Sequence, residues 1–200
     1  MKKFHVVAVL LFLLLSCKKE SISTVPEVIT DPAPVPVIPF TKYTIGAGQQ
    51  FSAGNAFLQT SYSELKFMVK FDNSAVYTTT DPANQYDINK LYGFADNNAH
   101  HQQFSARFGW RWSDQKLRLF AYVYNNGVRD SRELGIINIG EEINCKIKIT
   151  PTAYIFSMNA ITESLPRTAT TAKAEGYRLY PYFGGNESAP HEINIWIKEL

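Results

Sequence analysis

Residues 104–124 read "FSARFGWRWSDQKLRLFAYVY", and their alternation decides the fold. Phe104, Ala106, Phe108, Trp110 and Trp112 share one face of an extended chain, because strand side chains alternate with period two. After the polar turn Ser113-Asp114-Gln115-Lys116, Leu117, Leu119, Ala121 and Val123 continue that apolar face. A four-residue turn pairs Trp112 with Leu117 and Arg111 with Arg118. A one-residue slip would turn the whole apolar set outward, so the register is specified. The opposite face then carries Arg107, Arg111, Arg118, Phe120, Tyr122 and Tyr124. Two arginines opposed across a strand pair cost free energy unless an anion lies between them. Either a neighbouring strand or a ligand must supply it.

The same rhythm runs through the rest of the chain. Leu65, Phe67, Val69 and Phe71 alternate with Lys66, Met68 and Lys70. Residues 143–149 lead to a turn at Thr150-Pro151-Thr152-Ala153, after which Tyr154, Phe156 and Met158 return. "YRLYPYFGG" and "EINIWIKEL" read as a last strand pair joined through "NESAPH". Only two polar stretches, Arg132 to Leu134 and Thr170 to Glu175, read as candidates for a short helix. Many short antiparallel strands predict an all-β, two-sheet jelly-roll sandwich over residues 41–200.

The N-terminus differs in kind. Lys2 and Lys3 precede an apolar run from Val6 to Leu15, too short to span a bilayer as a mature helix but suited to a secretory signal core. The run ends in Leu14-Leu15-Ser16-Cys17, which resembles the lipobox of bacterial lipoproteins. That resemblance implies a signal peptide over residues 1–16, cleavage before Cys17 and a diacylglycerol on its thiol. Lys18, where an aspartate would imply inner-membrane retention, implies an outer-membrane anchor, with the domain periplasmic or surface-exposed. Residues 17–40 contain Pro26, Pro32, Pro34, Pro36 and Pro39. Proline fixes φ and removes donors, so this linker reads as an extended, semi-rigid tether.

Composition narrows the partners. Removing residues 1–16 takes Lys2 and Lys3 with it and leaves 18 of the 20 basic residues against 18 acidic ones. A neutral balance gives no electrostatic case for nucleic acid. Beyond Cys17 the only cysteine is Cys145. It alternates with Ile143, Ile147 and Ile149, as a buried small apolar residue does. The chain therefore offers no intrachain disulfide and no cysteine-based metal site.

The succession "FGWRW…KLRLFAYVYNNG", "IGEEINCKIKITPTAYIFSMN" and "LYPYFGGNESAPHEINIWI" resembles the concanavalin A-like jelly rolls of lectins, laminin G-like modules, glucanases and alginate lyases. The resemblance covers about residues 45–200, and it implies glycan binding on the concave sheet or its rim loops. Arg107, Arg111, Arg118, Tyr122 and Tyr124 would form such a surface, since aromatic faces stack on sugars and guanidinium forks bind hydroxyls or uronate carboxylates. A solvated outer face neutralised by neighbouring acids is the competing reading. Trp196 points away from Ile193, Ile195 and Ile197, as a sugar platform or as a cover for the sheet. Asn186, Glu187 and His191 lie on a rim loop. With Asn125, Asn126 and Asp130 they offer oxygens for Ca2+, although no spacing is diagnostic and turn chemistry accounts for them equally. In "NNAHHQQ", residues 97–103, a strand would point His100 and His101 opposite ways.

Enzymatic signatures are fragmentary. A glucanase of this fold carries closely spaced carboxylates of the Glu-x-Asp-x-Glu kind, and no such run occurs. Alginate lyases carry Arg-Ser-Glu-Leu-Arg, Gln-Ile/Val-His and Tyr-Phe-Lys strands, in that order. Ser131-Arg132-Glu133-Leu134 and Tyr182-Phe183 echo these, but Gly135 and Gly184 replace the second Arg and the Lys. His100-His101-Gln102-Gln103 also precedes the Arg element instead of following it. The sequence thus predicts a lipid-anchored cell-envelope lipoprotein with a non-catalytic polysaccharide-binding domain, no cofactor, and the membrane as a second partner. A surface adhesion or scaffold module binding a protein is one alternative. A divergent alginate-lyase-like or glucanase-like enzyme is the other.

Overall fold

A computed structural model describes residues 38–200. The expected signal peptide, Cys17 and most of the tether lie outside the described residues. Twelve strands follow Phe40: β1 (Thr41–Ile45), β2 (Gln59–Tyr62), β3 (Glu64–Phe71), β4 (Asn89–Ala95), β5 (Phe104–Ser113), β6 (Lys116–Asn125), β7 (Val128–Ile137), β8 (Ile143–Ile149), β9 (Ala153–Met158), β10 (Ile161–Pro166), β11 (Ala174–Leu179) and β12 (Ile193–Glu199). They form two antiparallel six-stranded sheets, ordered β1-β12-β3-β8-β9-β10 and β2-β11-β4-β5-β6-β7. The only helical turns among the described residues are the 3-10 segments Asn73–Ala75 and Pro82–Tyr86.

The two sheets meet through aromatic side chains that alternation turns inward. Phe67 of the first sheet meets Phe108 of the second edge-on at 5.4 Å between ring centres, Phe71 meets Trp110 at 5.4 Å, and Phe156 meets Phe108 at 5.3 Å. Each such side chain is fully buried, a gain of about 1.5–3 kcal/mol apiece. Cys145 is also buried in this core. Burial raises its thiol far above the ordinary range, so it carries no thiolate chemistry.

The opening hairpin has the register that its apolar face requires: Trp112 pairs with Leu117 and Arg111 with Arg118. Asp114 and Gln115 both adopt left-handed backbone (φ 53° and 57°), the geometry of a two-residue turn whose twist matches the strands.

Three expectations are corrected. Arg132–Leu134 belongs to β7, where Arg132 pairs with Ala121 and Glu133 with Phe120; the unpaired edge of β6 claims this segment as a strand. Residues 170–173 are a loop, and Ala174 and Glu175 already belong to β11. The stretches around "YRLYPYFGG" and "EINIWIKEL" do not pair with each other, because β11 lies in the second sheet and β12 in the first. Both strands have an apolar face to bury, and the crossing lets each bury it from its own side of the core.

Two polar clusters tie the two sheets together. Asp96 Oδ2 accepts from Tyr154 Oη at 2.6 Å and Arg167 Nε at 2.8 Å, and Asp96 Oδ1 accepts from Glu175 N at 3.2 Å. The Asp96–Arg167 pair is completely enclosed. Elsewhere Glu199 of β12 reaches across to the second sheet. It accepts from Tyr62 and Tyr92 hydroxyls at 2.9 Å each and pairs with Arg178 at 2.5 Å.

Candidate functional site: a cationic pocket on the second sheet

The face of β5 and β6 turned away from the core is not simply solvated. Arg107 is only 7% exposed and Tyr122 2%, because strands and loops on either side rise above them. Gly93 of β4 lies opposite Arg107. A Cβ there would collide with the Ala106 carbonyl and the Arg107 Cα, so only glycine lets β4 approach this closely.

A β-bulge in β4 between Lys90 and Gly93 breaks the alternation. Leu91, Tyr92 and Phe94 all go to the core, while Lys90 turns to the outer face beside Arg107. Its Nζ donates to the Gly184 carbonyl at 2.7 Å and lies 5.6 Å from the centre of the Tyr122 ring and 5.9 Å from that of Tyr182. Gly184 sits at φ 75° and donates to Asn89 Oδ1 at 2.5 Å, which fixes the loop whose carbonyl holds Lys90.

Together Lys90, Arg107, Arg129, Tyr122, Tyr124 and Tyr182 line a cavity of about 300 Å³, whose wall is completed by His101 and Gln102 and by Gly184 and Gly185. An adjoining hollow of about 130 Å³ shares Lys90, Tyr122, Arg129 and Gly185 and extends to Tyr86, Asp87 and Ser131. No carboxylate among the described residues lines the main cavity. Among the described residues, Lys90, Arg107 and Arg129 form no salt bridge.

Arg107 is the unusual member. Its guanidinium faces the Tyr122 ring at 5.4 Å, and among the described residues its buried Nε has no hydrogen-bond partner. Arg118 and Arg178 also leave Nε unpartnered, but both hold carboxylates at their Nη atoms. A buried guanidinium held only by aromatic faces is strongly under-compensated.

The pocket's charge marks its other members. Burial, and next the Arg107 charge, push the Lys90 amine down to about 8. Burial, with Arg107 and His100, pushes His101 down to about 4, so its ring is neutral at pH 7. Burial and the neighbouring Tyr124 push the Tyr122 phenol up to about 12. The His101 Nδ1 lies 2.9 Å from Tyr177 Oη. An anion entering the main cavity would meet cations and tyrosine hydroxyls, while Asp87 acts on Lys90 from the adjoining hollow.

The sequence-derived candidates divide. Arg107, Tyr122 and Tyr124 come together in the pocket. Arg111 and Arg118 lie further along the same face and are neutralised within the fold. Arg118 Nη1 meets Glu133 Oε1 at 2.8 Å, Arg111 Nη2 lies 4.0 Å from Glu133 Oε2, and Asp114 is 3.4 Å from Arg118. Arg111 also donates to the Tyr86 carbonyl at 2.7 Å. The neighbouring strand β7 thus supplies the anion that the opposed arginines require.

Trp196 lies on the first sheet, on the far side of the sandwich, with Lys42 5.7 Å from its ring centre. On the rim loop, Glu187 accepts from Thr80 N, Asp81 N and Asn84 Nδ2 at 2.9, 2.7 and 2.9 Å, clasping the 3-10 turn at 82–86. His191 Nε2 lies 2.9 Å from the Ser74 carbonyl, and Asn186 is exposed. Among the described residues no group of three or more His, Cys, Asp or Glu side chains is gathered for a metal.

From sequence, Lys90, Gln102 and Arg129 are not assigned to the site; His101 enters it only through the paired histidines of residues 97–103 and Tyr182 only through the Tyr182-Phe183 echo, yet all five line the pocket. His100 to Gln103 form a turn, closed by Gln103 N on the His100 carbonyl at 2.7 Å. The two histidine rings therefore lie 4.2 Å apart instead of on opposite faces. Arg129 was legible: it pairs with Tyr124 across the turn Asn126-Gly127, a hairpin signal in itself.

No protein-family model and no curated protein matches this chain. Solved structures do. Alginate lyase AlyC3 is similar with a TM-score of 0.56 at 8% identity, over 80% of this chain and 74% of that one. The laminarinase catalytic domain from Thermotoga maritima MSB8 gives 0.52 at 7% identity, over 80% and 75%. The shared feature is the two-sheet antiparallel jelly-roll fold. At these identities the likeness is one of fold alone.

Proposed function

We propose that this protein is a lipid-anchored cell-envelope lipoprotein whose jelly-roll domain binds an acidic polysaccharide, with a uronate carboxylate seated between Lys90, Arg107 and Arg129. The observation that carries this reading is the buried Arg107 guanidinium, which pairs with no carboxylate among the described residues. A ligand carboxylate supplies the missing charge, and the guanidinium fork can bind it through two parallel hydrogen bonds. Tyr122, Tyr124 and Tyr182 offer ring faces and hydroxyls for the sugar. The lipobox-like Leu14-Leu15-Ser16-Cys17 supports the anchor. That the fold also occurs in an alginate lyase in complex with dimannuronate (TM-score 0.50, 7% identity, 80% of this chain and 73% of that one) is consistent with a uronate in such a groove.

One observation favours a second reading, a divergent lyase. His101 is neutral, lines the same pocket and contacts the Tyr177 hydroxyl. A neutral imidazole near a neutralised uronate has the protonation state that a general base needs. The neutral form alone does not position it on an α-proton, so binding without cleavage is the leading reading.

The test is retention of the full chain, in detergent, on immobilised polyuronate and on a neutral glucan. Retention on polyuronate alone, weakened by salt and lost in Arg107→Ala, is the expected result. Equal retention of wild type and variant would refute the pocket. Unsaturated products absorbing in the ultraviolet, lost in His101→Ala, would convert the reading to a lyase.

A further inference from the structure

The first sheet presents a second charged surface, on the opposite side of the sandwich from the pocket. Along β1, β12, β3 and β8 the residues that alternate with buried ones are lysines more than any other type: Lys42, Lys198, Lys66, Lys70, Lys146 and Lys148. Lys66 stands directly opposite Lys146, and one carboxylate, Glu64, serves both, at 2.5 and 4.0 Å. Glu142 pairs with Lys70 at 3.4 Å. Among the described residues Lys42, Lys148 and Lys198 form no ion pair. Opposed like charges sharing half their counter-charge call for an anion from outside.

The face also has a seat for such a group. A depression of about 360 Å³ beside Lys66 and Lys146 is lined by the polar side chains of Asn144, Ser157, Asn159 and Thr162 and, on its apolar part, by Cys145 and Leu200. The Ser157 and Thr162 hydroxyls are 3.4 Å apart. Ammonium groups with hydroxyl and amide donors match a phosphate.

The first described residues lie on this same face. Phe40 lies between Lys70 and Lys198, 5.1 Å from each ammonium to its ring centre. Cys17 precedes Phe40 by 23 residues, a span of about 70 Å if extended at ~3.1 Å per residue.

We propose that the outer face of β1, β12, β3 and β8 docks against the anionic phospholipid headgroups of a membrane, with a headgroup phosphate between Lys66 and Lys146. The domain then lies on the bilayer with the Arg107 pocket turned away from it. Juxtamembrane lysines gain from the negative surface potential of such lipids, and the anchor expected at Cys17 holds the domain within reach.

Trp196 reports on this face directly. The full chain is reconstituted into phosphatidylcholine vesicles with and without phosphatidylglycerol, each carrying a headgroup-level spin-labelled lipid as quencher. The expected result is tryptophan quenching on the phosphatidylglycerol vesicles only. It should be lost in Trp196→Phe and at about 0.5 M salt, where screening is within a few ångströms, and retained in Arg107→Ala. Lys66→Gln with Lys146→Gln should lower the docked-to-free ratio about thirtyfold, the equivalent of two lysines at a charged surface. Equal quenching on neutral vesicles, quenching unchanged in the double variant, or none on the anionic vesicles overturns the proposal.

Discussion

The guanidinium of Arg107 lies 5.4 Å from the ring centre of Tyr122, and that ring stands where a buried arginine would ordinarily have a carboxylate. The arrangement holds a charge in place without neutralising it. Replacing Arg107 with Met should therefore separate stability from binding. Folding stability should hold or rise by about 1–2 kcal/mol, since an under-compensated buried charge is removed, while polyuronate affinity falls by ~2–5 kcal/mol. Thermal denaturation and calorimetric titration of the same variant read the two quantities, and a parallel loss of both would contradict the assignment.

Glu133 predicts the opposite pattern. Its carboxylate takes Arg118 at 2.8 Å and Arg111 at 4.0 Å, outside the pocket and partly exposed. Glu133→Gln leaves two arginines opposed and should destabilise the domain by about 1 kcal/mol. Retention on polyuronate should be unchanged. A denaturant midpoint and an affinity column check the pair of outcomes.

Lys90 sets the pH response. Its amine is held down to about 8 by burial and by Arg107. A bound carboxylate favours the ammonium form, so affinity should be flat near pH 7 and fall as pH rises through about 8. Lys90→Gln should bind more weakly and lose that fall. The unliganded fold has the reverse sign. The unfolded chain titrates this lysine near 10.4 and so binds more protons between about 8 and 10.4, and stability rises with pH over that window. Binding isotherms and melting curves across the alkaline range test both slopes.

Asp96 tests the scaffold alone. Enclosed with Arg167 and holding Tyr154, it cannot be removed without leaving a buried guanidinium unpaired. Asp96→Ala should cost ~3–5 kcal/mol, measured by chemical denaturation. A loss below about 1 kcal/mol would mean that the cluster relaxes around water.

The hairpin at 104–124 was legible because its two faces differ so sharply that one register alone buries Phe108 and Trp110 together. The opposition of Arg111 and Arg118 is legible in the sequence, whereas the acid that neutralises them comes from β7. Lys90 was hidden by the bulge in β4: strict alternation groups Lys90 with Tyr92 and Phe94, whereas the extra residue sends it to the other face. Tyr182 and Gly185 reach the pocket from a chain segment that crosses between sheets. Nothing local in sequence encodes a crossing of that kind. The lysines of β3 and β8 were visible one strand at a time, but only the β3–β8 register brings Lys66 opposite Lys146.

The outermost strands have one more consequence. β2 has four residues and β1 five, β10 closes with Pro166, and β7 carries Asp130, Arg132 and Glu133 beside an irregularity in its pairing. Short length, a missing donor, charge and a bulge each discourage a neighbouring molecule from annealing onto an open sheet margin. Copies crowded at high local density can thus remain separate instead of seeding an intermolecular β-aggregate.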